Sequence, residues 1–121
     1  MDQILVSATA GAAHTDKEGY FVEASGSATV TVCNAATDRP CGVIVSGAAS
    51  GSEDTIALPG SEALVKLNGT VKKHDEIQIE SDGTVIKNAG SGGRVVVGQM
   101  LESGVSGDLK RALIYVPLAL S

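Results

Sequence analysis

Tryptophan is absent from the 121 residues, phenylalanine occurs once and tyrosine twice, so no row of rings is present on which bases or sugars could stack. Basic clusters are missing too. Nine Lys and Arg face fourteen Asp and Glu, the net charge is -5, and no more than two basic residues stand together. Affinity for nucleic acid rests largely on grouped Lys and Arg at phosphates, so DNA and RNA are excluded as expected partners. No apolar run approaches the ~20 residues of a membrane-spanning helix, and no membrane partner is expected. The opening Met-Asp-Gln-Ile-Leu-Val lacks the basic and apolar regions of a secretion signal. The expected location is the cytoplasm or a particle assembled there.

Cysteine is scarce. Cys33 and Cys41 bracket Asn-Ala-Ala-Thr-Asp-Arg-Pro, and a disulfide between them is sterically feasible if their Cα atoms come within about 7 Å. A reducing cytosol favours the alternative, two small thiols. His14 and His74, the only histidines, are far from both cysteines in sequence. No ligand set has metal-binding spacing, and neither a metal nor another cofactor is expected.

What the chain does have is short β-branched runs cornered by glycine. Nine of them follow residue 19, within 20–24, 28–33, 42–45, 54–58, 62–67, 76–80, 83–87, 94–98 and 112–118, each bounded by Gly, Asn, Asp, Pro or Ser. Their spacing is that of a small all-β barrel or sandwich. Only 98–102 and 108–112 leave room for a helical turn, and neither carries a helical stripe. Residues 1–19 differ: Ile4-Leu5-Val6 is followed by Ser-Ala-Thr-Ala-Gly-Ala-Ala, an apolar anchor and then small residues. This predicts an N-terminal arm over 1–19 and a single β domain over 20–121.

The richest cluster of acids, Glu76, Glu80 and Asp82 in Glu-Ile-Gln-Ile-Glu-Ser-Asp-Gly-Thr-Val-Ile-Lys, reads as a hairpin with a solvated acidic face. Asp82-Gly83 suits a type I′ turn, which would set Ile79 against Ile86 and bury Ile77, Ile79 and Ile86 together. A calcium loop would need further oxygen ligands at alternating positions and a closing glutamate, which are missing. Ser-Gly-Val-Ser-Gly at 103–107 has no histidine nearby to act as base. Gly90-Ser-Gly-Gly93 lacks the Lys-Ser/Thr of a phosphate loop. No catalytic residues are assigned, and an enzyme is not expected.

Val71-Lys-Lys-His-Asp-Glu-Ile-Gln-Ile-Glu resembles the strand that approaches the modified lysine of biotinyl and lipoyl carrier domains. The hairpin tip Ser81-Asp82-Gly83 has no lysine, so the carrier function is not implied. The closing segment Ala-Leu-Ile-Tyr-Val-Pro-Leu-Ala-Leu, residues 112–120, is apolar on both alternating faces. It must be covered within the subunit or by another one. Pro117 removes a ladder donor and favours an edge strand, and Leu113, Ile114, Tyr115, Val116 and Leu118 are the candidate subunit interface.

From Arg39 onward, Pro-Cys-Gly-Val-Ile-Val-Ser-Gly, Glu-Ala-Leu-Val-Lys-Leu-Asn-Gly-Thr-Val, Asp-Glu-Ile-Gln-Ile-Glu-Ser-Asp-Gly-Thr-Val and Val-Val-Val-Gly-Gln-Met-Leu-Glu-Ser together resemble the capsid cement, or head decoration, proteins of tailed bacteriophages. The resemblance implies a barrel-like or tulip-like β domain on the outer surface of the phage head. It also implies the major capsid protein as partner, a homo-oligomer (a trimer before a dimer) and a shell-bridging role. Ile4, Leu5 and Val6 stand where such proteins carry a capsid-contact arm. The alternative is a carbohydrate-binding or adhesin-like β module, for which Tyr20, Phe21 and Tyr115 are few aromatic platforms.

Overall fold

A computed structural model describes residues 3–26, 28–35, 40–88 and 95–119, with 95 and 116–119 described by backbone alone. Among the described residues every regular element is a strand, and the strands form two sheets. The first contains β1 (Leu5–Ala10), β2 (Phe21–Gly26), β3 (Thr29–Val32), β4 (Gly42–Ser46) and β5 (Glu53–Ala57). They close into a barrel in the order β1-β3-β2-β4-β5. The second contains β6 (Glu62–Lys66), β7 (Glu76–Ile79), β8 (Val85–Lys87), β9 (Val95–Met100) and β10 (Leu109–Ala119), in the order β6-β10-β9-β7-β8. The all-β expectation holds, and the nine anticipated runs correspond to β2 through β10.

The expected N-terminal arm is not an arm. β1 runs antiparallel to β5 from Leu5↔Ala57 to Thr9↔Glu53 and meets β3 in parallel at Thr9↔Thr29 and Ala10↔Val30, which closes the barrel. Ala10 is buried, and Ala8 packs against the interior cluster of Val22, Val30, Ile44 and Ile56. The small residues that read as flexible chain are those that fit beside these branched side chains.

Alternation along the barrel strands explains why Gly-Val-Ile-Val is apolar without interruption. Val22, Ile44 and Ile56 point into the barrel, whereas their neighbours Phe21, Val43 and Ala57 point the other way. There they join a second cluster with Ala63, Val65, Leu67, Ile77, Ile79, Val85, Val97, Met100, Ala112 and Ile114 from the second sheet and its loops. A strand covered on both faces has no solvent side to mark with polar residues. Main-chain bonds also join the sheets, from Phe21 N–H to the Gly83 carbonyl (2.9 Å) and from Gly60 N–H to that of Ile114 (2.7 Å).

The 76–87 hairpin forms, but one residue out of the anticipated register. Ile79 pairs with Val85 and Gln78 with Ile86, so Val85 joins Ile77 and Ile79 in the core and Ile86 is only half-buried. The cause is the turn. Gly83 N–H bonds the Glu80 carbonyl (3.1 Å) and Glu80 N–H bonds that of Thr84 (2.7 Å), giving a three-residue loop with Gly83 at φ 84° where a two-residue I′ turn was expected. Asp82 Oδ1 accepts from Thr84 N–H (3.1 Å) and Oγ1–H (2.5 Å), stapling this loop. A Cβ at Gly83 would also stand 2.6 Å from Val32 Cγ1.

β10 is not an edge strand. It lies between β6 and β9, and its pairing with β6 ends at Leu113↔Glu62. Pro117 falls where the β9 register shifts between Ile114 and Leu118, so the missing donor is placed at an irregularity rather than at a free edge.

Candidate interaction surface

Among the described residues, no group of three or more His, Cys, Asp and Glu lies close enough to hold a metal ion. The acids of the 76–87 hairpin are where the sequence places them, with Glu76 and Asp82 exposed and Glu80 half-buried. Asp54 is the exception to an acid-outside arrangement. It is fully buried on β5 and accepts from His14 Nδ1 at 2.5 Å and from Ala48 N–H at 2.7 Å. His14 Nε2 is buried and has no hydrogen-bond partner among the described residues. Both side chains are sealed from solvent, so the pair ties the β1–β2 connection to β5 and offers no access to a substrate.

The cysteine pair resolves as thiols. Cys33 is buried and Cys41 half-buried, and no disulfide joins them. Burial pushes the Cys41 thiol above its usual range, with Glu23 adding to the effect, so little reactive thiolate forms near neutrality. Iodoacetamide labelling of native protein should therefore be slow, and both residues should label once it is unfolded in urea without reductant. A mass showing two modified cysteines checks this.

Large apolar side chains reach solvent at three places: the start of β1, the pair Leu64 and Leu109, and Val105 in the loop before β10. Ile4, Leu5 and Val6 are 55%, 47% and 41% exposed, and among the described residues only β5 pairs with the first half of β1. Leu64 and Leu109 are also exposed. They share a groove of about 220 Å³ with Gln3, Glu18, Ile44 and Val45, and Gln3 brings its wall to the start of the β1 triplet. Strand alternation explains Leu64: Ala63 and Val65 face the core, leaving Glu62, Leu64 and Lys66 on the outer face. That signal was present in Glu-Ala-Leu-Val-Lys, where Leu64 shares parity with two charged residues.

The candidate interface on β10 divides. Ile114 is buried in the shared core and cannot meet another subunit. Leu113 and Tyr115 are half-buried, and burial together with the nearby Glu76 raises the Tyr115 hydroxyl above its usual pKa. The side chains of Val116 and Leu118 lie outside the described residues.

Fold and surface define a small two-sheet β domain that presents apolar side chains to solvent. No protein-family profile matches the chain, and no curated protein does. Among solved structures, the fold is similar to the crystal structure of the head fiber gp8.5 N base of bacteriophage phi29, with a TM-score of 0.69 and 18% identity over 93% of each chain.

Proposed function

We propose that this protein is a structural component of a tailed-phage head, attached to the outside of the shell through the major capsid protein after assembly in the host cytoplasm. The observation that carries the reading is the shared fold, matched over nearly the whole length of both chains, with a protein described as a head fiber base. The hairpin and glycine pattern from Arg39 onward resembles head decoration proteins and points the same way. An acidic domain that exposes Ile4, Leu5, Val6, Leu64 and Leu109 can act by docking alone, and no enzymatic role is proposed.

Two finer roles follow from the same attachment. As a cement subunit, a homo-oligomer would bridge capsid subunits, and repeated modest contacts would add up to firm attachment. As a fiber base, it would anchor an appendage and leave the shell no stronger. The fiber-base reading is favoured by the structural neighbour and the cement reading by the sequence resemblance. A sugar-binding module is disfavoured because Phe21, one of only three aromatic residues, is in the core.

The test incubates purified protein with undecorated heads, pellets them and follows thermal rupture. Co-sedimentation is expected. A rise in rupture temperature assigns cement, since binding the intact shell stabilises it by mass action, and unchanged rupture assigns the fiber base. Protein that stays in the supernatant with both immature and expanded heads refutes attachment.

A further inference from the structure

The first half of β1 carries main-chain groups that no described residue pairs with. Leu58 N–H donates to the Ile4 carbonyl (2.9 Å) and Ala10 N–H to that of Ser52 (2.7 Å), so the even-numbered residues of this strand turn toward β5. Thr9 N–H donates to the Ala28 carbonyl (2.7 Å) and Gly11 N–H to that of Val30 (2.8 Å), so the odd-numbered residues turn the opposite way, as an antiparallel ladder requires. Pairing with β3 begins only at Thr9. Leu5 and Ser7 thus direct N–H and C=O to a side where no strand pairs with them among the described residues.

Such edges invite another chain, and proteins usually block them with Lys, Pro, brevity or a covering loop. The other sheet of this protein follows that rule. β8 has three residues, is bridged at Val85 by Leu67 and ends in Lys87, and the β6 edge is met by the Gly19 carbonyl on Lys66 N–H (2.9 Å). Residues 3–10, Gln-Ile-Leu-Val-Ser-Ala-Thr-Ala, contain no charge and no proline. Leu5 and Val6 lie on opposite faces of the strand and both are exposed, so an added strand would find apolar contact above and below.

We propose that this edge pairs with the same edge of a second copy, the two β1 strands running antiparallel across a two-fold axis. Leu5 of each copy opposite Ser7 of the other makes four N–H···O=C bonds, sets Val6 against Val6 at the axis and removes Leu5 and Ile4 from water. The contact is self-complementary, and it brings two acidic chains together through their uncharged segment, so no like charges oppose one another. An edge paired with itself closes at two subunits, whereas a trimer needs two different surfaces on each copy. The inference concerns the isolated protein and does not depend on attachment to a phage head.

Ser7→Pro separates this use of the strand from its role in the fold. Ser7 N–H is not directed at β5, so proline removes an outward donor without breaking the barrel ladder. Sedimentation velocity from micromolar to submillimolar concentration should show the 12.2 kDa chain converting to a dimer. Ser7→Pro should weaken that conversion at least tenfold, roughly what loss of two net hydrogen bonds implies, with a far-UV circular dichroism spectrum like the parent's. If proline disturbs the fold, Val6→Lys, which sets like charges opposite one another at the axis, decides in its place. A parent that stays monomeric throughout, forms a trimer, or dimerises equally well with both substitutions overturns the proposal. Head binding is measured separately, so heads that take up the monomeric Ser7→Pro variant sustain attachment whatever becomes of the dimer.

Discussion

Asp54→Ala is expected to lower the free energy of unfolding by about 3–5 kcal/mol, the usual cost of removing one partner from a buried ionic or hydrogen-bonded pair. The carboxylate is fully buried and serves two donors from different segments, His14 Nδ1–H and Ala48 N–H. Alanine leaves both donors inside the protein without an acceptor and opens a cavity beside them. His14 N–H also bonds the Ala48 carbonyl (2.9 Å), and Lys17 N–H bonds that of His14 (3.0 Å), so the β1–β2 connection and the β4–β5 loop loosen together. Asp54→Asn keeps the volume and one acceptor and is expected to cost less. Urea unfolding followed by far-UV circular dichroism is the measurement, because the chain has no tryptophan to report by fluorescence. An alanine variant with the parent's midpoint would show that the pair contributes nothing.

Gly47→Ala is expected to cost about 3 kcal/mol or more, at or beyond the upper end for overpacking, because the obstacle is backbone. A Cβ there would lie 1.8 Å from the His14 carbonyl oxygen and 2.7 Å from its carbon. The loop cannot simply retreat, since Gly47 N–H is held by Glu18 Oε2 (3.0 Å) and the adjacent Ala48 N–H by Asp54. Gly51→Ala is the control. It has open space around it and φ 86°, so only the conformational penalty of about 1 kcal/mol applies. Equal losses at the two positions would contradict the close approach. Gly47 and Asp54 act on one knot, so the double variant should lose less than the sum of the two singles.

That knot marks where sequence reasoning stops. His14 and Asp54 are separated by forty positions, and neither lies in a motif, so no local spacing could join them. The solvated face read for the 76–87 hairpin holds at Glu76 and Asp82, whereas nothing local marks Asp54 as buried, because its partner arrives from another strand connection. β1 was missed for a related reason. Ser-Ala-Thr-Ala has little β-branched content, and it becomes a strand because Val22, Val30, Ile44 and Ile56 leave room there for small side chains. The hairpin at 76–87 was legible as a hairpin, but its register depended on whether two or three residues made the turn, and one step exchanges Ile86 for Val85 in the core.

The chain alone determined its class and its punctuation: ladders of Val, Ile and Thr at period two, glycines at the corners, and too few aromatic or basic residues for stacking or phosphate binding. These are local properties, set by backbone sterics and by composition. Tertiary structure decided that residues 5–10 close a barrel, that β10 is central while its Ile114 is core, and that Leu64 and Leu109 face solvent. Alternation tells which side chains share a face, but what covers that face depends on strands distant in sequence, and the same holds for every unpaired N–H and C=O.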